Sequence, residues 1–98
     1  MSECATIIRM AHLTQEELAR ELAQAAALVE KNARYVHFKD QSREYIVRGF
    51  AIREDTQEAC VIYEAQYEER IPFIRTLASF TETVEYNGQS VLRFQRIS

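Results

Sequence analysis

The sequence predicts an α+β protein: an N-terminal amphipathic helix packed on a small antiparallel β-barrel that ends in a β-hairpin. Three stretches carry that prediction. Thr14–Gln15–Glu16–Glu17 is a capping box placed just before a periodic apolar stripe. Glu58–Tyr67 alternates Ala59, Val61, Tyr63, Ala65 and Tyr67 with Cys60, Ile62, Glu64 and Gln66, the period of two that marks a strand with one committed face. Between them, Glu44–Arg53 changes phase at Arg48–Gly49, where a β-bulge would bend the strand as a small closed sheet requires.

At 98 residues the chain is one domain, able to bury roughly 60–65% of its unfolded surface. Residues 1–33 form an N-terminal segment with the helix, and 34–98 the β part. A hydrophobic content of 47% with 28% charged is that of an ordinary folded protein rather than a disordered one. The net charge of −3 argues against a dedicated nucleic-acid binder, which works by neutralising phosphates. Splitting the chain at Arg34 leaves nine Lys+Arg against ten Asp+Glu on the C-terminal side, so neither half is basic. Cys4 and Cys60 have no metal-ligand or C-x-x-C spacing, and no stretch has the apolar length of a signal peptide or membrane span. The expectation is a reduced, cytoplasmic protein with free thiols and no membrane association, a Cys4–Cys60 disulfide being the minor alternative.

Residues 1–12 show no clear period. Ala5, Ile7 and Ile8 suit either a sheet edge or simple packing, and His12 reads as solvent-exposed rather than as a ligand. The helix is expected from about Gln15 to Lys31, with Leu18, Leu22, Ala25 and Val29 as its apolar stripe and Asn32 in the C-cap region. Ala19, Ala23, Ala26 and Ala27 on its other faces are explained by helix propensity; close packing in a homodimer through this helix is the alternative.

Tyr35–Lys39 is the first strand, with Tyr35, His37 and Lys39 on one face and Val36 and Phe38 on the other. Asp40–Ser42 is a polar turn, and Glu54–Gln57 the loop between the bulged strand and the central one. Glu68–Arg70 is a charged turn. Ile71–Thr76 follows, confined by Pro72 to an edge or a strand start, and Leu77–Phe80 is too short for more than a 3₁₀ turn. Asn87–Gly88 predicts a type I′ hairpin between Thr81–Tyr86 and Gln89–Ile97. Its register sets Val84 against Val91, Thr83 against Leu92 and Glu82 against Arg93.

Five segments in order carry a resemblance: YVHFK at 35–39, the strand at 46–51, VIYEAQY at 61–67, FIRTLASF at 73–80 and VEYNGQSVLRFQRI at 84–97. Together they resemble the bacterial "domain of unknown function 1653" family over about two-thirds of the chain, the helix lying outside. Asp40, Phe73 and Thr76 stand where that family has glycine, tryptophan and proline. The resemblance implies an SH3-like barrel and leaves activity, cofactor and partner unassigned.

The candidate functional residues are Tyr35, His37, Lys39, Tyr67, Phe73 and Arg75. An aromatic, an imidazole and an ammonium at 35, 37 and 39 could stack on and neutralise a nucleotide or single strand; the blander reading, which the acidic net charge favours, has Tyr35 packed under the helix and His37 in a structural hydrogen bond. Arg75 could hold an anion, or, as the favoured reading has it, tie strands to Glu64 or Glu82. Tyr63 and Tyr67 could grip a peptide, although core tyrosines with a hydroxyl at the rim explain the same spacing. No nucleophile–base pair, Gly-rich phosphate loop or metal-ligand run occurs, so the sequence points to no cofactor, no metal and no catalytic residue. Cys60, mid-strand between apolar neighbours, reads as inert packing. The expectation is a non-catalytic binding module for a protein or peptide, using Tyr35, His37, Tyr67 and Phe73. The runner-up is an RNA- or nucleotide-binding accessory using His37, Lys39 and Arg75, and a small hydrolase is a distant third.

Overall fold

The computed structural model describes residues 13–98; the expectations for Cys4, Ala5, Ile7, Ile8 and His12 lie outside them. Helix α1 spans Gln15–Leu28 and starts with the expected capping box, in which the Thr14 side chain accepts from the Glu17 N–H at 3.1 Å and Glu17 accepts from the Thr14 N–H at 2.8 Å. It ends before Lys31. Val29 leaves the helix in an extended conformation (φ −128°, ψ 125°) and is itself the C-cap, because its side chain is a core residue. Asn32 instead takes a left-handed conformation (φ 69°) in the loop to the sheet, where its N–H bonds Val47 O at 2.7 Å. Ala25 and Val29 are buried, whereas Ala19, Ala23, Ala26 and Ala27 face solvent. No helix among the described residues is long and apolar enough to cross a membrane.

The strands are β1 (Arg34–His37), β2 (Asp40–Arg53), β3 (Glu58–Ala65), β4 (Pro72–Thr76), β5 (Thr83–Tyr86), β6 (Gln89–Leu92) and β7 (Phe94–Arg96), with one helical turn, α2 (Leu77–Phe80), after β4. Five of them form an antiparallel sheet in the order β4-β3-β2-β1-β7, and β5 and β6 form a separate two-stranded hairpin. The larger sheet is open, with β4 and β7 as its edges. Its middle strand is β2, flanked by β3 and β1, and the β2–β3 ladder shifts register between Val47 and Gly49. The bulge stands where the phase change placed it, and it brings Tyr45, Val47 and Phe50 to the same cluster.

Two expectations at turns are corrected. The β1–β2 turn is Phe38–Lys39, closed by the pair His37↔Asp40, so Asp40–Ser42 already belongs to β2. The expected long last strand breaks at Arg93. Its N–H goes to Glu82 O at 2.9 Å and its carbonyl accepts from the Phe38 N–H at 3.0 Å. One residue thus bonds both sheets, and the chain must change partners there, β6 pairing with β5 and β7 with β1. The hairpin has positive φ at Asn87 (54°) and Gly88 (79°), as a type I′ turn demands, and its register is the one expected. Glu82 and Arg93 form an ion pair at 3.3 Å.

The core lies on the concave face of the sheet. Val47, Val61, Tyr63, Tyr35 and Phe94 supply the floor, with Val29 from the end of α1 and Phe80 from α2 closing one end. Phe80 stacks on Phe94 with centroids 4.3 Å apart and planes 2° from parallel. The other end of that aromatic floor is not covered.

Candidate functional site

The uncovered end of the concave face is a cleft of about 350 Å³. Its lining comes from all five strands of the sheet because cross-strand neighbours share a face. Phe73 lies opposite Tyr63, and Arg75 opposite Val61, so the inward phase of β3 carries both β4 side chains to the cleft. The start of β2 contributes Asp40, Arg43 and Tyr45, β1 contributes His37, and Phe94 of β7 is the floor. Phe94 meets His37 edge-on at 5.1 Å and Tyr63 at 5.2 Å; Tyr63 in turn meets Tyr45 at 5.5 Å and Phe73 at 5.9 Å. The cleft is therefore the solvent-facing margin of the core's own aromatic cluster, with walls set by packing.

Arg75 is held in place without a countercharge. Its guanidinium lies 5.4 Å from the centre of the Phe94 ring, NH1 donates to Ser79 Oγ at 2.9 Å and Nε to the Tyr63 hydroxyl at 3.4 Å. Among the described residues no carboxylate lies within ion-pair distance of it. Glu64, one partner the sequence suggested, pairs with Arg48 at 2.8 Å, and Glu82, the other, pairs with Arg93. Arg43 at the opposite wall is matched: Asp40 stands 3.4 Å away, its carboxyl held below the usual range first by the Ser42 hydroxyl and then by the Ser42 N–H. The cleft thus carries about one unbalanced positive charge. His37 senses that field. Burial, then Arg75, Arg93 and Lys39, hold its imidazole below the ordinary value of 6.5, so the ring is neutral at pH 7, with Nδ1 accepting from the Lys39 N–H at 3.2 Å.

The six residues singled out from sequence separate. His37, Phe73 and Arg75 converge on the cleft. Tyr67 stands beside it, its hydroxyl 2.9 Å from that of Tyr45 and its ring 4.8 Å from the Arg43 guanidinium. Burial and then the Tyr67 hydroxyl push the Tyr45 phenol up to about 12, so the Tyr45 hydroxyl stays protonated at neutral pH. Tyr35 is in the core, 7% exposed, with its hydroxyl accepting from the Glu30 N–H at 3.2 Å. Lys39 lies in the β1–β2 turn with its ammonium 5.9 Å from the Phe38 ring, and it is not a wall residue. Sequence reasoning missed Arg43, Tyr45 and Phe94. Tyr45 was detectable from the bulge phase, whereas Arg43 and Phe94 depend on strand order, which local pattern does not encode.

Cys60 is buried, and burial followed by the Glu58 carboxylate pushes its thiol up, away from nucleophilic character. Among the described residues no three His, Cys, Asp or Glu side chains gather as a metal site would need.

Fold and cleft together define an α+β protein with a bent, open antiparallel sheet and a solvent-facing aromatic cleft that holds an unpaired arginine. The chain belongs to the family described as "Protein of unknown function (DUF1653)", whose model matches residues 33–96 and so takes in every strand and the whole cleft while leaving out α1. No curated protein and no solved structure matches it.

Proposed function

We propose that the protein is a non-catalytic binding module for protein or peptide segments, a cytoplasmic member of the SH3-like small-barrel class whose cleft grips an acidic group at Arg75 and an apolar group on Phe73 and Tyr63. The observation that carries this reading is Arg75 itself, a guanidinium fixed by Ser79 and Tyr63 over an aromatic floor with no carboxylate of the described residues at ion-pair distance. A fixed, unpaired arginine is pre-organised for a bidentate carboxylate, because little rotamer freedom remains to be lost on binding. The bend at Arg48–Gly49 and the hairpin beyond it support the small-barrel relationship.

The nucleic-acid alternative draws less support. It relied on His37, Lys39 and Arg75 acting together, but Lys39 stands apart from the cleft and His37 is held neutral.

Amide chemical-shift titration separates the two. Short acidic–aromatic peptides should shift Phe73, Arg75, Tyr63 and His37 with modest salt dependence, and Arg75→Gln should abolish the response while the rest of the spectrum stays folded. Shifts produced only by single-stranded RNA, fading steeply with salt, would replace this reading with the alternative.

A further inference from the structure

Among the described residues, the strand edge beside the cleft is unpaired. β4 is the last strand of the five-stranded sheet, and its hydrogen-bond phase is fixed by the bond from the Ala65 N–H to Ile71 O at 3.0 Å. Bonded pairs in an antiparallel ladder recur every second residue. Phe73 and Arg75 therefore spend their backbone groups on Tyr63 and Val61, while Ile74 turns its N–H and carbonyl outward, together with the Pro72 carbonyl. Ile74 is 62% exposed and Phe73 43%. A free edge with apolar side chains is a template for another strand, and natural sheets usually blunt it with charge, proline or a covering element. Here Pro72 blunts only the first position.

We propose that the ligand is an extended acidic peptide that adds a strand to β4, pairing its backbone with Ile74 and setting an acidic and an aromatic or large apolar side chain, two residues apart, beside Arg75 and Phe73. This rests on the cleft being a peptide site and adds how the peptide lies. The spacing follows from the pleat. Side chains two apart share a face, and a strand laid about 4.8 Å from β4 presents its alternate residues beside Phe73 and Arg75. The residue between them falls beside Ile74 on the opposite face, where an apolar side chain is favoured. Charge complementarity selects the acidic member, since among the described residues Arg75 has no carboxylate partner and Arg43 is already matched by Asp40. Main-chain bonds supply affinity and the two alternate pockets supply selectivity, as in strand addition generally.

The test uses the full chain and three synthetic peptides read by calorimetry and amide shifts. The first carries Glu and Phe two apart around a central Val, in both orders because the strand direction is free. The second has the same composition with Glu and Phe adjacent. The third is the first with the central amide N-methylated, which removes the donor it would direct at the Ile74 carbonyl and leaves every side chain. The first should bind and protect the Ile74 amide from exchange, and the other two should each bind at least about tenfold more weakly, the N-methylated one through a lost main-chain bond and the adjacent one through a side chain turned to the wrong face. Equal binding of the N-methylated peptide, or of the adjacent-spacing peptide, overturns strand addition while leaving the cleft as a peptide site. No binding by any peptide to the folded protein overturns both readings.

Discussion

Tyr35 packs in the core, as the blander reading of its strand has it, and truncating it in two steps tests that packing. Tyr35→Phe keeps the ring and removes only the hydroxyl that accepts from the Glu30 N–H. That bond is partly buried, so its loss should cost about 0.5–1.5 kcal/mol. Tyr35→Ala removes a ring that is 7% exposed and meets Phe80 edge-on at 5.4 Å. Deleting a buried aromatic costs about 3–5 kcal/mol. For a chain of this size each kcal/mol lowers the melting temperature by about 4–8 °C, so the phenylalanine variant should melt within roughly 12 °C of the parent and the alanine variant roughly 12–40 °C below it. The larger loss approaches the whole stability of a small domain, about 5–15 kcal/mol. Urea unfolding followed by circular dichroism gives both numbers, and the Glu30 amide shift checks that the phenylalanine variant lost the intended bond. An alanine variant within about 1 kcal/mol of the parent would refute the packing of α2 onto β1. A phenylalanine variant as damaged as the alanine one would mean the hydroxyl, not the ring, is what matters there.

The two glycines should part company. A Cβ on Gly49 meets nothing within 4 Å and the residue has no positive φ, so Gly49→Ala should be neutral or stabilise by up to about 1 kcal/mol. Gly88 sits at φ 79°, so Gly88→Ala should cost about 1–2 kcal/mol; equal urea midpoints for the two variants would contradict the hairpin geometry. His37, with its pKa lowered in the fold, binds fewer protons than in the unfolded chain at mildly acidic pH. Its contribution to stability is therefore complete above about pH 6.5 and is lost as pH falls toward the folded value. Unfolding midpoints taken between neutral and acidic pH should fall less steeply in His37→Gln than in the parent, and a carboxylate ligand at Arg75 should raise the His37 pKa, readable from its ring protons. An unchanged His37 titration in a ligand-saturated protein would place the ligand elsewhere.

Local chemistry made the ladders legible and left the long-range order obscure. The capping box, the bulge at Arg48–Gly49, the alternation of β3 and the Asn87–Gly88 turn each depend on a handful of neighbouring residues, and each stands in the structure where the sequence put it. The sequence extends helix α1 too far because Glu30 and Lys31 continue a helical composition up to Asn32, a plausible C-cap. What stops the helix is Val29 entering the core, a tertiary event. The break at Arg93 was invisible for the same reason, since it exists only because two separate sheets claim that residue's backbone. The open sheet order was beyond reach as well: β7 joins β1 rather than extending β6, and the strand lengths alone do not say so.

The candidate site shows how a pairing argument built on sequence goes astray and why the outcome is informative. Glu64 and Arg75 looked like natural partners because β3 and β4 are neighbours. Yet Glu64 is one residue out of phase with Tyr63, and in a pleated sheet that sends its carboxylate to the opposite face, where Arg48 meets it. Arg48 stands on that face too, because it alternates with the inward Val47. Glu82 is taken by Arg93 at the junction of the two sheets. The pleat and the junction, both features of backbone geometry, thus keep these two carboxylates with other arginines. An arginine left unmatched over an aromatic floor, beside a free strand edge, is the part of this fold that stability alone does not require.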